Sequence, residues 1–73
     1  MKISQLQQKI GQRIRTLRES KGITQQDLAA ACNFEKTNMS RIEAGGTNPT
    51  ISTLYKISQA LEVTISELVD IEV

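Results

Sequence analysis

Histidine is missing altogether from these 73 residues, and cysteine and proline occur once each. Without histidine, the usual zinc ligand sets and the commonest general base have nothing to draw on, and the acids form no convergent cluster. Neither a metal, a cofactor nor a catalytic site is therefore expected, and an enzyme is the poorest of the functional classes. A lone cysteine forms no internal disulfide. Cys32 has no evident cation beside it, so it reads as a small buried apolar side chain rather than a reactive thiol. Long apolar runs are also missing. The longest, Leu28 to Cys32, falls far short of the roughly 20 residues that a bilayer-spanning helix takes. Met1-Lys2 leads into polar sequence with no secretory apolar core. The expectation is a cytoplasmic protein with no membrane partner. No segment alternates apolar and polar residues with period two between turn signals, which argues against a sheet.

The length fits one domain, residues 1–73, with only a small core, so marginal stability or a partner subunit is expected. Net charge is only +1, too little for a general DNA coat, but its distribution is uneven. Residues 1–22 hold Lys2, Lys9, Arg13, Arg15, Arg18 and Lys21 against Glu19 alone, a net +5; residues 23–46 net −1 and residues 47–73 net −3. Such a dipole suits docking one end onto a polyanion, although a solvated basic helix gives the same pattern.

Leu6, Ile10, Ile14 and Leu17, with Ile3 before them, make one helical stripe that predicts a first helix ending near Ser20. Thr24 before Gln25-Gln26-Asp27 is a cap signal, so a second helix is predicted from about Gln25 to Cys32. Asn33 tolerates the left-handed turn that would follow. A third helix is expected from about Lys36 to Ala44, stopped by Gly45-Gly46. After the "GGTNP" loop, Thr50 caps a fourth helix with Ile51, Leu54, Tyr55, Ile57, Ala60 and Leu61 on its apolar positions. Thr64 and Glu67 form a capping box that opens a short fifth helix. The fold class predicted is all-α, a compact five-helix bundle.

The third helix carries the functional signal. With Lys36 at 0° and steps of about 100°, Ile42 and Met39 fall near 240° and 300° and mark the buried side. Lys36, Ser40, Ala44, Thr37 and Arg41 then span an arc from about 0° to 140°, while Glu35 and Glu43 fall near 260° and 340°, outside it. Solvated faces usually mix charge signs, whereas this one is cationic and hydrogen-bonding. Arginine and lysine reach guanine acceptors in the major groove, and threonine offers a hydroxyl and a methyl, so these are base-reading residue types. On a helix this short, the wheel alone leaves an accidental arrangement equally open.

The stretch "GITQQDLAAACNFEKTNMSRIEAGGTNPTISTLYKISQALEV" resembles the phage-repressor-like helix-turn-helix family, the Cro-type or XRE family. The resemblance rests on "TQQDLA", "MSRIEAG" and "NPTISTLYKISQALEV" in that order. It implies a lambda-repressor-like domain with the helix-turn-helix at about residues 24–44. Helix 3 would lie in the major groove and helix 2 across it. By position, Lys36, Thr37 and Arg41 match base-reading sites, with Ser40 beside them. Gln25 matches a residue that bonds the DNA backbone and braces the recognition helix, and Asn38, Thr47 and Asn48 are further phosphate candidates. Arg18 and Glu43 match an internal salt bridge. Two positions depart from the pattern, with Glu35 where relatives place a serine or threonine cap and Asn33 where a turn glycine is commoner.

The function expected is a sequence-specific, repressor-like DNA-binding transcriptional regulator of the cytoplasm and nucleoid, acting as a homodimer on double-stranded DNA. Ile65, Leu68, Val69, Ile71 and Val73, within helix 5 and the tail at 64–73, give the expected dimer contact, with packing of the tail onto helix 1 as the other reading. An antitoxin-like or adaptor protein that holds a protein partner through that tail is the alternative function.

Overall fold

The computed structural model describes all 73 residues as five helices and no strand: α1 (Ile3–Ser20), α2 (Gln25–Ala31), α3 (Lys36–Ala44), α4 (Ile51–Leu61) and α5 (Ile65–Leu68). The starts follow local chemistry. The hydroxyls of Thr24, Thr50 and Thr64 each accept from the backbone N–H three residues on, at Asp27, Thr53 and Glu67, which satisfies a donor the helix cannot. At α5 the box closes, because the Thr64 N–H donates to Glu67 Oε1 at 3.0 Å. This bond and that from the Thr64 hydroxyl hold the Glu67 carboxyl below the usual glutamate range. α1 is opened instead by Gln5, whose side-chain carbonyl accepts from the Lys2 N–H at 3.0 Å.

Nine apolar side chains form the core: Ile14 from α1, Leu28, Ala29 and Cys32 from α2 and its end, Met39 and Ile42 from α3, Ile57 and Leu61 from α4, and Leu68 from α5. Every helix contributes, so none of the short ones stands on its own propensity. Burial pushes the Cys32 thiol pKa up, with Lys56 partly offsetting it. Not all of the α4 stripe is used. Ile57 and Leu61 are buried, but Ile51 is 80% and Tyr55 51% exposed. These two lie one turn apart on a flank that no other helix covers.

The chain leaves α2 through Asn33 at φ 59° and α3 through Gly45 at φ 79°, both left-handed. Glu62 does the same after α4 at φ 58°, where a side chain costs energy. Glu62→Gly is expected to stabilise the protein by about 0.5–1 kcal/mol, the relief of left-handed strain less the greater chain entropy of glycine. A rise in the urea midpoint at constant slope is the check.

α1 grips the far end of α3 at three levels. A Cβ on Gly45 would lie 2.7 Å from the Gln8 Cα, and one on Gly11 would lie 2.5 Å from the Glu43 carbonyl oxygen and closer still to that of Ile42. Further along, Arg18 forks onto the Glu43 carboxylate, Nε to Oε2 at 2.7 Å and Nη2 to Oε1 at 3.0 Å. The tail, meanwhile, folds back on α1. Arg13 Nε donates to the Glu67 carbonyl and Lys9 Nζ to that of Glu72, each at 2.9 Å. Those two bases therefore tie down the C-terminus. Leu68 is fully buried and Ile65, Val69 and Ile71 are half-buried, leaving only Val73 fully in solvent. Packing on α1 and α4 together covers most of the tail's apolar surface, and the α1 contact is one of the two readings of the tail.

Candidate nucleic-acid interface

α3 owes its orientation to its buried side. Met39 and Ile42 are sunk in the core and Glu43 is 7% exposed against Arg18, so the rest of the helix must face out. Lys36, Thr37, Asn38, Ser40, Arg41 and Ala44 are all exposed. Lys36, Thr37, Ser40 and Arg41 line one shallow concavity together with Gln25 of α2, and no apolar side chain enters it. Asn38 is exposed but does not join this concavity. Asn48 borders a separate, largely apolar depression with Ile3, Leu6, Gln7, Ile10, Pro49 and Leu54, and Thr47 is half-buried in the same loop. The structure thus brings together Gln25, Lys36, Thr37, Ser40 and Arg41, and places Asn38, Thr47 and Asn48 apart from them.

The cavity is organised by a buried polar network. Glu43 Oε1 accepts from Arg18 Nη2 and also, at 3.2 Å, from Gln25 Nε2, while Arg18 Nη1 donates to the Ile23 carbonyl at 2.9 Å. One carboxylate therefore links α1, α2 and α3, and no buried side-chain polar atom is left without a partner. The hydrogen bond from Arg18 to Glu43 raises the pKa of a guanidinium that is charged in any case. Gln25 Nε2 gives one N–H to Glu43, so its second side-chain N–H and its backbone N–H, at the first position of α2, remain for an external acceptor. At the opposite end of α3, Glu35 occupies the cap position with extended backbone, but its side chain makes no capping bond. The helix starts at Lys36 nonetheless.

A second cleft adjoins the first. Arg15, Arg18, Thr24, Gln25, Gln26 and Lys36 line it, again without an apolar residue, and Gln25 and Lys36 border both. Neither Arg15 nor Gln26 stands out in the sequence. Their placement depends on how α2 crosses α1, which no single-helix pattern reports.

Two helices joined by a tight turn, the second fixed by its buried side and offering a cationic, hydrogen-bonding face, define a helix-turn-helix domain. The chain belongs to the helix-turn-helix family, whose model matches residues 14–68. Its relatives are transcriptional regulators and repressors. It is 42% identical over 60 residues to the HTH-type transcriptional regulator y4dJ of Sinorhizobium fredii, covering 82% of this chain and 78% of the relative. It is 40% identical over 62 residues to the HTH-type transcriptional regulator SinR of Bacillus subtilis, covering 84% of this chain and 56% of SinR. The chain therefore spans most of some relatives and about half of others. Among solved structures, it superposes with a TM-score of 0.81 and 33% identity on the restriction-modification controller protein C.AhdI from Aeromonas hydrophila, over 84% of this chain and 92% of that one. It also matches SinR, the master regulator for biofilm formation, solved in complex with DNA, with a TM-score of 0.76 and 40% identity over 84% of this chain and 98% of that one. The five-helix, repressor-like fold expected from the sequence is the fold observed, and no helix is long and apolar enough to cross a membrane.

Proposed function

We propose that this domain is a sequence-specific transcriptional regulator that sets α3 into the major groove of double-stranded DNA and acts as a repressor. One observation carries this reading. The concavity lined by Gln25, Lys36, Thr37, Ser40 and Arg41 is cationic, free of carboxylates and apolar side chains, and presented on a helix that is locked from behind. Lys36, Thr37 and Arg41, with Ser40 beside them, contact base edges. Gln25, held by Glu43, contacts the backbone, and Asn38, Thr47 and Asn48 add phosphate contacts at the margins. The likeness to a regulator solved on DNA supports this assignment.

A homodimer completes the reading, since one small module makes too few contacts for strong specificity. Two copies would read half-sites one helical turn apart, about 34 Å centre to centre. Apolar surface available for a second copy includes Ile51 and Tyr55 on α4, the half-buried Ile65, Val69 and Ile71, and Val73, beside Met1 and Ile3 at the other end of the chain. The protein would work in the cytoplasm, on the nucleoid.

Selection of bound duplexes from a random pool at physiological salt is the direct test, and an enriched, near-palindromic sequence is the expected result. On that sequence, Arg41→Ala is expected to relax preference at one base position in each half-site, at a cost of about 1–3 kcal/mol, whereas Gln25→Ala weakens specific and random duplexes alike. Equal losses for Arg41→Ala on both kinds of DNA would remove it from the base-reading set.

A further inference from the structure

The cleft beside the recognition face holds three cations with different commitments. Arg18 is spent on Glu43 and the Ile23 carbonyl. Lys36 lies on the rim shared with the α3 concavity. Arg15 makes one contact, from Nε to Glu19 Oε2 at 3.3 Å, within a pair whose side chains are 55% and 54% exposed. Both of its Nη groups have no partner within the protein.

The Arg15–Glu19 pair is weak by construction. It is long and solvated, and it places the base N-terminal to the acid, the poorer order for a pair four residues apart on a helix. A phosphodiester in the cleft would offer Arg15 a better acceptor, because a guanidinium fork matches two phosphate oxygens. The other lining groups suit the same ligand, since Thr24, Gln25 and Gln26 are polar and none of the lining residues is acidic. The cleft opens beside α3, so a duplex seated on that helix would present the sugar–phosphate edge of its groove here.

We propose that Arg15 is a ligand for a DNA backbone phosphate beside the recognition helix and that Glu19, one turn further along α1, competes for it and limits affinity. This rests on the DNA-reading function above. Glu19 is then a built-in counter-anion. The arginine leaves it for the duplex and returns to it on release, so affinity is trimmed without touching the base-reading residues. Salt weakens both the ion pair and the phosphate contact, but only the phosphate contact releases counterions from DNA.

The test uses the whole chain and a duplex from the selection, with Kd measured across a salt series for the protein and for Arg15→Gln, Glu19→Gln and the double variant. Arg15→Gln is expected to lower the slope of log K against log salt by about 1, and to weaken specific and random duplexes by the same factor. Glu19→Gln is expected to tighten both by roughly two- to fivefold at low salt. The double variant should behave as Arg15→Gln alone, because Glu19 acts through Arg15. Inorganic phosphate, added as a competitor at constant ionic strength, should not reproduce the duplex effect if the site is built for backbone rather than free anion.

An unchanged slope in Arg15→Gln overturns the inference, and so does tightening by Glu19→Gln that persists without Arg15. Arg41→Ala serves as the reference. If it relaxes base preference while Arg15→Gln leaves the slope alone, only this inference fails; if the protein prefers no duplex, the DNA-reading function fails with it.

Discussion

Glu43→Ala is expected to remove a large share of the protein's stability. A chain of 73 residues has roughly 4–11 kcal/mol of stability to lose, and removing one partner of a buried ion pair costs about 3–5 kcal/mol. The alanine strands the charge of Arg18, whose side chain is 11% exposed, beside an apolar core and frees Gln25 from α3. The cost arises from the abandoned charge, so replacing both partners should undo it. Arg18→Met with Glu43→Leu removes the charges as well as the bonds, and such swaps are often neutral or stabilising. Denaturant melts should thus show Glu43→Ala far below the parent and the double variant near it. DNA affinity should not recover in step, because Gln25 has then lost the acceptor that aims it. A double variant as unstable as Glu43→Ala would mean that the network, rather than the unpaired charge, holds the helices together.

Gly11→Ala is expected to act with opposite signs in two settings. In an isolated α1 peptide, alanine should increase helicity, since glycine in a helix interior costs about 1 kcal/mol relative to alanine. In the folded protein, the new methyl would meet the carbonyl oxygens of Ile42 and Glu43, which are backbone and cannot swing aside. Overpacking of this kind costs roughly 1–3 kcal/mol or more, which outweighs the local gain. Circular dichroism of the peptide and a urea melt of the protein check both halves. Because the clash falls on the last turn of α3, residual folded protein should also bind its operator more weakly.

The helices were legible because their signals are local. Threonine caps at 24, 50 and 64 bond the amides that their spacing predicts, and the period of Leu6, Ile10, Ile14 and Leu17 turns α1 onto the core. The exposed arc of α3 was legible for the same reason. Once Met39 and Ile42 are inside, Lys36, Thr37, Ser40 and Arg41 have nowhere else to face. What the sequence hides is contact between elements. Gly11 looks like a weak spot in a helical stripe, although a glycine inside a strong helical pattern is itself a sign of close packing. The tail's apolar residues read equally as a dimer contact or as packing on helix 1, because nothing local says that Arg13 and Lys9 will tie the tail to α1. Arg15 sits in a basic run whose members diverge in space, toward α2 at Arg15 and toward the tail at Arg13.

The two ends of α3 are secured unequally. Its last turn is pinned by Gly11, Arg18 and Gln8, whereas its first turn starts at an acid that makes no capping bond. The helix is thus a cantilever, rooted at Glu43 with its tip at Lys36 and Thr37. Its first turn packs against α2 but lacks the ion pair and the close α1 contacts of the last turn, so it is the end expected to yield first. If α3 enters the major groove as proposed, base changes are expected to be better tolerated opposite Lys36 and Thr37 than opposite Arg41.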